Sequence, residues 1–223
     1  MRRPRLILFD LDDTLHDASH AIFGVLNGRM TAYVERHLGL TQPEADRLRQ
    51  DYWRRYGATL LGLIRHHGVD PAHFLHDTHD FDIAASMRAE RGLERLLRVL
   101  PGHKRLLTNA PDAYAAVVLR ELALHRHLPR HPIESMRVHG VLRPKPSRLM
   151  LRALLARQRC AAVDAVLVED SRANLKAARA LGLRTVLVSP LRRRYGRHGR
   201  PAYAGLRIAS VRELPRALAR LRR

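Results

Sequence analysis

Two aspartates that directly follow a short apolar run are the first residues of the sequence suited to chemistry. Asp10 and Asp12 come after residues 6–9, which read Leu-Ile-Leu-Phe. Alternate residues leaving a strand point the same way, so both carboxylates could face one pocket. Such a pair can hold a hard cation through its oxygens, or divide nucleophilic and acid–base work between its members. The alternative is that these carboxylates cap the helix that follows.

A second acidic pair, Glu169 and Asp170, directly follows the apolar residues 165–168 and precedes Ser171. Two adjacent acids at the end of a strand could complete a site for Mg²⁺, which prefers oxygen ligands. The alternative is again local, because Asp170 or Ser171 could cap the next helix. The pair gains meaning only together with the other candidates.

Two further candidates suit a phosphorylated ligand. Thr108 and Asn109 follow residues 105–107, and a hydroxyl with nearby backbone N–H groups at a helix start can bind phosphate. A plain N-cap is the alternative. Lys145 stands between two prolines in a chain with only three lysines among 41 Lys+Arg residues. Its ammonium could balance the charge of phosphoryl oxygens, or it could be an ordinary solvated side chain.

The elements that must position these residues follow a regular pattern. Short apolar runs alternate with longer amphipathic stretches, which is typical of parallel strands connected by helices. We expect strands at residues 6–9, 105–107, 165–168, 185–188 and 207–209. We expect helices at residues 89–100, 111–124, 146–159, 171–181 and 211–221. Pro111 and Pro146 suit first turns of helices. The four candidates then lie at the edge of an open α/β sheet where ligands bind.

Residues 17–87 interrupt this pattern, because they show helical periodicity and no convincing strand. Helices are predicted at residues 21–38, 44–56, 58–66 and 71–76. We therefore expect a core formed by residues 1–16 and 88–223, with a helical domain of residues 17–87 inserted after the first strand.

The four candidates, in this order, resemble the four motifs of the haloacid dehalogenase superfamily of phosphatases. The matching residues are Asp10 with Asp12, Thr108, Lys145, and Glu169 with Asp170. The resemblance runs from Arg5 to about Val188, and it implies a Rossmann-like α/β fold: a three-layer parallel-sheet core with an inserted α-helical cap domain. Two features depart from the family pattern. Residues 124–143 lack a clear third strand, and Asn174 stands where a second aspartate could follow the last motif.

The resemblance implies a Mg²⁺-dependent phosphomonoester hydrolase with an aspartyl-phosphate intermediate. Asp10 is then the nucleophile, and Asp12 is the general acid and base. Lys145 supplies positive charge, because phosphoryl transfer depends mainly on positioning and electrostatics. The implied Mg²⁺ ligands are Asp10, the backbone carbonyl of Asp12, Asp170, and Glu169 directly or through water. The implied phosphate-binding groups are the Thr108 hydroxyl and the backbone N–H groups of Leu11 and Asn109.

Within the insertion, residues 51–70 resemble the pyrimidine 5′-nucleotidase branch of this superfamily. That branch carries a similar Tyr-xxx-Tyr-Gly stretch and a following His-x-x-x-Asp. The resemblance implies that Tyr52, Arg55 and Tyr56 select the substrate, a nucleoside 5′-monophosphate with a pyrimidine base preferred. The alternative substrates are sugar phosphates and phosphoglycolate. The alternative for the cap residues is that Tyr52 and Tyr56 form the core of the cap and that Arg55 is solvated.

A formal net charge of +20 predicts attraction to anions such as phosphorylated metabolites, nucleic acid or an acidic membrane surface. Eleven arginines and one acid fall between residues 191 and 223, so nucleic-acid binding through this segment is an alternative function. Aromatic residues make up only 5% of the chain, and no nucleic-acid-binding module is recognisable, which counts against it. We expect a small phosphorylated metabolite as the partner and leave the oligomeric state open.

The remaining composition points to a cytoplasmic protein without membrane contact. No apolar run reaches the roughly 18–20 residues of a membrane span, and the apolar run after the basic start is too short for a signal peptide. Cys160 is the sole cysteine, which excludes an intramolecular disulfide. A transition-metal site is a further alternative, with the candidate ligands His66, His67, His73, His76 and His79.

Overall fold

The structure is a computed structural model that describes residues 4–87, 92–128, 137–138, 141–189 and 202–220. Its strands are β1 Leu6–Phe9, β2 His103–Leu106, β3 Arg137–Val138, β4 Val141–Leu142, β5 Ala165–Glu169, β6 Arg184–Val188 and β7 Leu206–Ile208. Its α-helices are α1 Ile22–Leu38, α2 Gln42–Tyr56, α3 Thr59–His67, α4 Pro71–His79, α5 Leu93–Val99, α6 Asp112–Glu121, α7 Arg148–Arg157, α8 Arg172–Ala180 and α9 Leu214–Arg220. Within these ranges, no helix combines the length and apolar character that crossing a membrane requires.

Within the described residues, five strands form a parallel sheet in the order β2-β1-β5-β6-β7. The central strands β1 and β5 are buried along their whole length, as expected for apolar strands covered on both faces. Phe9 at the end of β1 pairs with Leu106 of β2 and with Val168 of β5. This register places the residues that follow β1, β2 and β5 side by side. The predicted α/β class, with a Rossmann-like parallel sheet and helices, is confirmed.

Helices α7 and α8 pack against one face of the sheet. Leu6 and Leu8 of β1 share a hydrophobic cluster with Leu167 of β5, Leu154 of α7 and Leu175 of α8. Alternate residues of a strand point to the same face, which is why positions 6 and 8 both enter this cluster. The two strands that lead to the carboxylate pairs are therefore anchored by close apolar packing.

A small antiparallel hairpin of β3 and β4 stands apart from the main sheet, with Val138 opposite Val141. It lies within residues 124–143, where the sequence shows no clear third strand. Residues 129–136 and 139–140 lie outside the described part of the chain. No described residue between β2 and β5 joins the parallel sheet.

Two helices that flank the site begin later than the sequence predicts. Helices α6 and α7 start directly after their N-cap residues, Pro111 and Ser147. The Ser147 hydroxyl accepts a hydrogen bond from the Met150 N–H at 3.2 Å and so caps α7. The expectation that Pro111 and Pro146 lie in first turns is wrong, because Pro111 has extended backbone and the Ser147 cap fixes the later start of α7.

The other predicted elements are present, and apart from β1 their ends are shifted. α4 continues to His79, beyond the predicted end at residue 76. A 3-10 turn at Val211–Glu213 precedes α9, where one continuous helix was expected. Residues 89–91 and 221, at the ends of two predicted helices, lie outside the described residues.

The chain divides into two compact units. We call residues 1–17 with 88–223 the sheet unit and residues 18–87 the helical unit. The helical unit contains α1 to α4, and its core forms around Tyr33. The Tyr33 ring stacks on His37 with centroids 3.8 Å apart and meets Phe74 edge-on at 4.9 Å.

Candidate active site

The end of β1 fixes Asp10 at the edge of the sheet. The Asp10 backbone N–H donates to the Val168 carbonyl of β5 at 3.0 Å, which extends the strand pairing by one residue. The next turn closes with a hydrogen bond from the Leu15 N–H to the Leu11 carbonyl at 2.8 Å. Asp10 and Leu11 are both buried. The carboxylate of Asp10 therefore starts from a rigid position.

The Lys145 ammonium lies between two buried carboxylates. Nζ is 2.5 Å from Asp10 Oδ1 and 2.8 Å from Glu169 Oε2, and the Lys145 side chain is only 3% exposed. Burial by itself lowers the pKa of the Lys145 ammonium, but the two carboxylates outweigh it and raise the pKa above its ordinary value. The lysine therefore stays charged, and its charge acts strongly because water is excluded.

Asn109 ties the loop that carries Lys145 to the end of β2. Its Oδ1 accepts a hydrogen bond from the Lys145 N–H at 2.9 Å, and its Nδ2 donates to the Lys145 carbonyl at 3.0 Å. The sequence indicated a role only for the backbone N–H of Asn109, so this role of the side chain was missed. The feature of the sequence that could have indicated this role is a side-chain amide directly after the motif threonine, Thr108.

Thr108 is buried beside Asn109 at the end of β2. The Thr108 oxygen accepts a hydrogen bond from the Ala110 N–H at 3.0 Å. Within the described part of the chain, no acceptor is hydrogen-bonded to the Thr108 hydroxyl proton. The hydroxyl can therefore donate to a ligand oxygen.

Asp10, Glu169 and Asp170 form a group of carboxylates whose ligand oxygens lie within 4.8 Å of one another. Burial, and then the charge of Glu169, raises the pKa of Asp10 well above its usual range, although Lys145 opposes this. Burial, and then the charge of Asp10, raises the pKa of Asp170 to about 6. Three carboxylates thus face one ammonium. An all-oxygen donor set with unbalanced negative charge fits a hard divalent cation such as Mg²⁺.

Glu169 is hydrogen-bonded through both of its oxygens. Oε2 binds Lys145, and Oε1 accepts from the Ser171 N–H at the start of α8 at 3.1 Å. Glu169 therefore connects Lys145 to the start of α8. Its predicted role as a Mg²⁺ ligand stays a prediction, since these two contacts leave further lone pairs on both oxygens.

Two side chains that the sequence analysis did not single out contact Asp12. The Tyr114 hydroxyl donates to Asp12 Oδ1 at 2.6 Å, and Nε2 of His16 lies 2.9 Å from the same oxygen. Tyr114 lies on α6, 102 residues after Asp12 in the chain, so no local sequence pattern reveals the contact. For His16, its place four residues after Asp12 was the available signal.

Tyr52, a predicted substrate-selecting residue, lies in the core of the helical unit. It is 7% exposed and packs against Gly62 of α3. Its hydroxyl is 2.7 Å from Nε2 of His67. The structure thus gives Tyr52 a packing role in α2 and α3.

The two other predicted substrate-selecting residues are more accessible. Tyr56 is half-buried, and its hydroxyl is 2.6 Å from Nε2 of His66. Arg55 is exposed, and its Nε lies 3.2 Å from Asp51 Oδ2. Both could therefore contact a ligand without disturbing the core of the unit.

Three histidines of the helical unit lie next to tyrosine hydroxyls. His66, His67 and His73 each have a ring nitrogen within 2.9 Å of a hydroxyl, belonging to Tyr56, Tyr52 and Tyr33 respectively. In the ranges that the structure covers, the only group of three side chains placed to hold a metal ion is the carboxylate group described above. The alternative of a histidine site for a transition metal gains no support.

The fold and the group of site residues agree with one family of hydrolases. Residues 4–182 match the family model of the haloacid dehalogenase-like hydrolases, and the chain belongs to this family. The predicted superfamily is thereby confirmed. A haloacid dehalogenase phosphatase from Thermococcus onnurineus has the same fold, with a TM-score of 0.62 and 20% identity over 96% of this chain and 97% of that chain.

Two curated relatives are similar over most of the chain. Phosphoglycolate phosphatase 1 of Pseudomonas aeruginosa is 27% identical over 222 residues, which cover 90% of this chain and 73% of that protein. The phosphoglycolate phosphatase of Pseudomonas fluorescens is 27% identical over 220 residues, which cover 89% of this chain and 72% of that protein. Both names correspond to the alternative substrate of the sequence analysis rather than to the nucleotidase branch.

Proposed function

We propose that the chain is a Mg²⁺-dependent phosphomonoester hydrolase that carries the phosphoryl group on Asp10. The observation that supports this most is the buried Lys145 ammonium, 2.5 Å from Asp10 Oδ1 within a group of three carboxylates. A carboxylate nucleophile beside a fixed positive charge suits the transfer of a negatively charged phosphoryl group. The two phosphatases that are 27% identical support the same chemistry.

The reaction has two steps. In the first, an oxygen of Asp10 forms a bond to phosphorus while the bond from phosphorus to the leaving oxygen breaks. Asp12, protonated at this stage, gives its proton to the leaving oxygen, so the product departs as an alcohol. In the second, a water oxygen attacks phosphorus, Asp12 takes the proton of that water, and the bond from Asp10 to phosphorus breaks. Both aspartates are thereby regenerated.

Several groups bind the phosphoryl oxygens during both steps. The Lys145 ammonium supplies charge, and the Thr108 hydroxyl donates a hydrogen bond, with the backbone N–H groups of Leu11 and Asn109. The residues that would hold Mg²⁺ are Asp10, Asp170, the backbone carbonyl of Asp12, and Glu169 directly or through water. When bound, Mg²⁺ neutralises charge on the phosphate.

Hydrolysis of a carbon–halogen bond is a reaction that an aspartate nucleophile could also support. A halide leaves without a proton, so it would give Asp12 no work as an acid. It would also give no role to the neighbouring carboxylates of Glu169 and Asp170. The site therefore favours a phosphate ester.

For the substrate, we propose phosphoglycolate as the first candidate and pyrimidine nucleoside 5′-monophosphates as the second. The first rests on the names of the two curated relatives. The second rests on Arg55 and Tyr56, whose accessible positions suit contacts with a phosphorylated ligand. Tyr52 supports neither candidate, because its ring is committed to the core of the helical unit. We further propose that the helical unit acts as a cap that selects the leaving group.

The test is phosphate release with Mg²⁺ and with excess EDTA, for wild-type protein and the Asp10→Asn variant. The substrates are phosphoglycolate, UMP, CMP, dTMP, AMP, GMP and glucose 6-phosphate. We expect release that needs Mg²⁺ and is lost in Asp10→Asn, whose fold is checked by circular dichroism. A preference for phosphoglycolate or for UMP and CMP decides between the substrate candidates. Near-wild-type release by Asp10→Asn, or no release from any substrate, would contradict the proposal.

A further inference from the structure

Two buried side chains converge on one oxygen of Asp12. The Tyr114 hydroxyl is 2.6 Å and the His16 Nε2 is 2.9 Å from Oδ1. Tyr114 is 2% exposed and the His16 side chain is fully buried, whereas the Asp12 side chain is 18% exposed. Asp12 is therefore held from the interior of the sheet unit and remains accessible to solvent.

Both partners are hydrogen-bond donors when Asp12 is ionised, because a carboxylate only accepts. Burial, and then the charge of Asp12, raises the pKa of Tyr114 far above its ordinary value, so its hydroxyl keeps the proton. Among the described residues, the buried Nδ1 of His16 has no hydrogen-bond partner. A proton on Nε2 leaves Nδ1 a bare acceptor, whereas a proton on Nδ1 would leave an unpaired buried donor, which proteins avoid.

The two oxygens of Asp12 consequently differ. Oδ1 accepts two hydrogen bonds, whereas none of the residues that the structure describes is hydrogen-bonded to Oδ2. A proton on Oδ1 would displace at least one of the two donors, while a proton on Oδ2 keeps both bonds. We propose that Tyr114 and His16 are positioning residues that fix the Asp12 carboxylate and leave Oδ2 to exchange the catalytic proton. This inference rests on the proposed phosphatase function.

A purely structural role explains this pair less well. A buried imidazole with one nitrogen unpaired costs free energy that an apolar side chain of similar size would not. The imidazole and the Tyr114 hydroxyl both meet the one carboxylate to which acid–base work is assigned. Their burial is therefore better explained by control of that carboxylate.

If Tyr114 and His16 position Asp12 in this way, the rates of the two chemical steps depend differently on the leaving group. In the first step, the Oδ2–H bond of Asp12 breaks as the leaving oxygen takes the proton. A leaving group that departs as a stable anion does not need this proton, so its departure tolerates a misplaced Asp12. In the second step, Oδ2 must take a proton from water whatever the leaving group was. Loss of the Tyr114 hydroxyl should therefore always slow the second step.

The experiment is stopped-flow kinetics of Tyr114→Phe with 2,4-dinitrophenyl phosphate and phenyl phosphate in the presence of Mg²⁺. With the dinitrophenyl ester, we expect a burst of dinitrophenolate at nearly the wild-type rate, followed by a slowed steady state. The steady-state rate, and the turnover of phenyl phosphate, should fall roughly 10–100-fold, a part of the usual contribution of acid–base catalysis.

Three controls separate positioning from a general disturbance. Tyr33→Phe removes the hydroxyl of another buried tyrosine, 2.9 Å from Nδ1 of His73, and should leave all rates unchanged. In an Asp12→Asn background, Tyr114→Phe should cause no further loss, because Tyr114 acts through Asp12. His16→Gln, which keeps an N–H donor, should retain more activity than His16→Leu.

The possible results separate failure of the positioning role of Tyr114 and His16 from failure of the proposed phosphatase function. A burst slowed as much as the steady state, an additional loss in the Asp12→Asn background, or unchanged kinetics in Tyr114→Phe would overturn this inference alone. Wild-type protein that hydrolyses neither ester with Mg²⁺ would overturn the proposed function and this inference with it.

Discussion

The side-chain amide of Asn109 is hydrogen-bonded to both backbone polar groups of Lys145, at 2.9 Å to the N–H and 3.0 Å to the carbonyl. These bonds hold the Lys145 loop against the end of β2. The direction of the Lys145 side chain toward Asp10 therefore depends on the Asn109 side chain, which is hydrogen-bonded to the Lys145 backbone.

We expect Asn109→Ala to lower both stability and turnover. It leaves two backbone groups of Lys145 without partners, which costs about 1–3 kcal/mol of unfolding free energy. Turnover should fall more than KM changes, because the ammonium loses its fixed position. Urea unfolding and steady-state kinetics measure the two effects. Asn27→Ala is the matched control, since the exposed Asn27 amide oxygen accepts a hydrogen bond from the Arg49 side chain and supports no loop of the site. Equal effects of both substitutions would contradict the argument.

Lys145→Met should destabilise the protein most when metal is absent. Removing the ammonium leaves Asp10 and Glu169 without their buried counter-charge, and breaking such a pair costs about 3–5 kcal/mol. Mg²⁺ should restore part of this loss, because a bound cation neutralises the same carboxylates. Thermal unfolding with Mg²⁺ and with EDTA measures the difference. Lys176→Met, at an exposed position, should unfold like wild type, and a Lys145→Met loss that Mg²⁺ does not reduce would count against the cation site.

The affinity for Mg²⁺ should fall as the pH drops through about 6. Asp170 has a pKa raised to about 6 in the metal-free protein, so below that pH it holds a proton that Mg²⁺ must displace. Each further pH unit then weakens apparent binding roughly tenfold for one displaced proton. Isothermal titration calorimetry across this pH range tests the prediction. Asp46→Asn, in the helical unit, should leave the pH dependence unchanged, whereas pH-independent affinity in wild type would disprove it.

Replacing either of two glycines of the helical unit by alanine should change the free energy of unfolding, but in opposite directions. A Cβ on Gly62 would lie 2.6 Å from Tyr52 Cβ and overlap the ring, so Gly62→Ala should destabilise by about 1–3 kcal/mol. A Cβ on Gly28, within α1, meets nothing within 4 Å, so Gly28→Ala should stabilise by about 0.4–1 kcal/mol. Chemical denaturation of both variants checks the pair. A neutral Gly62→Ala would show that Tyr52 is not locked in the core.

The sequence was most informative where chemistry and strand ends coincide. The apolar run before Asp10 predicted β1 with the bounds that the structure shows. Parallel pairing then had to bring the residues after β1, β2 and β5 together, because their carboxyl ends share one edge. The grouping of Asp10, Glu169 and Asp170 follows from that topology.

The sequence was least informative about contacts set by tertiary packing. Tyr114 reaches Asp12 across 102 residues, and nothing in its neighbourhood marks it as different from other helix residues. The Asn109 side chain bonds to a loop 36 residues away, a contact that no motif specifies. Tyr52 carried a family resemblance, yet its packing against Gly62 depends on how α2 meets α3.

The central claim is that Asp10 carries the phosphoryl group, and trapping that group tests it most directly. Asp12→Asn should transfer phosphate from 2,4-dinitrophenyl phosphate to Asp10 and release it slowly, since the base for the second step is missing. Acid quenching followed by peptide mass spectrometry should then show one phosphoryl group on Asp10, removable by hydroxylamine and absent when Asp10→Asn is added. The account would be contradicted if the wild-type protein turns over while the trapped Asp12→Asn protein carries no phosphoryl group on Asp10. A phosphoryl group on another residue would contradict it as well.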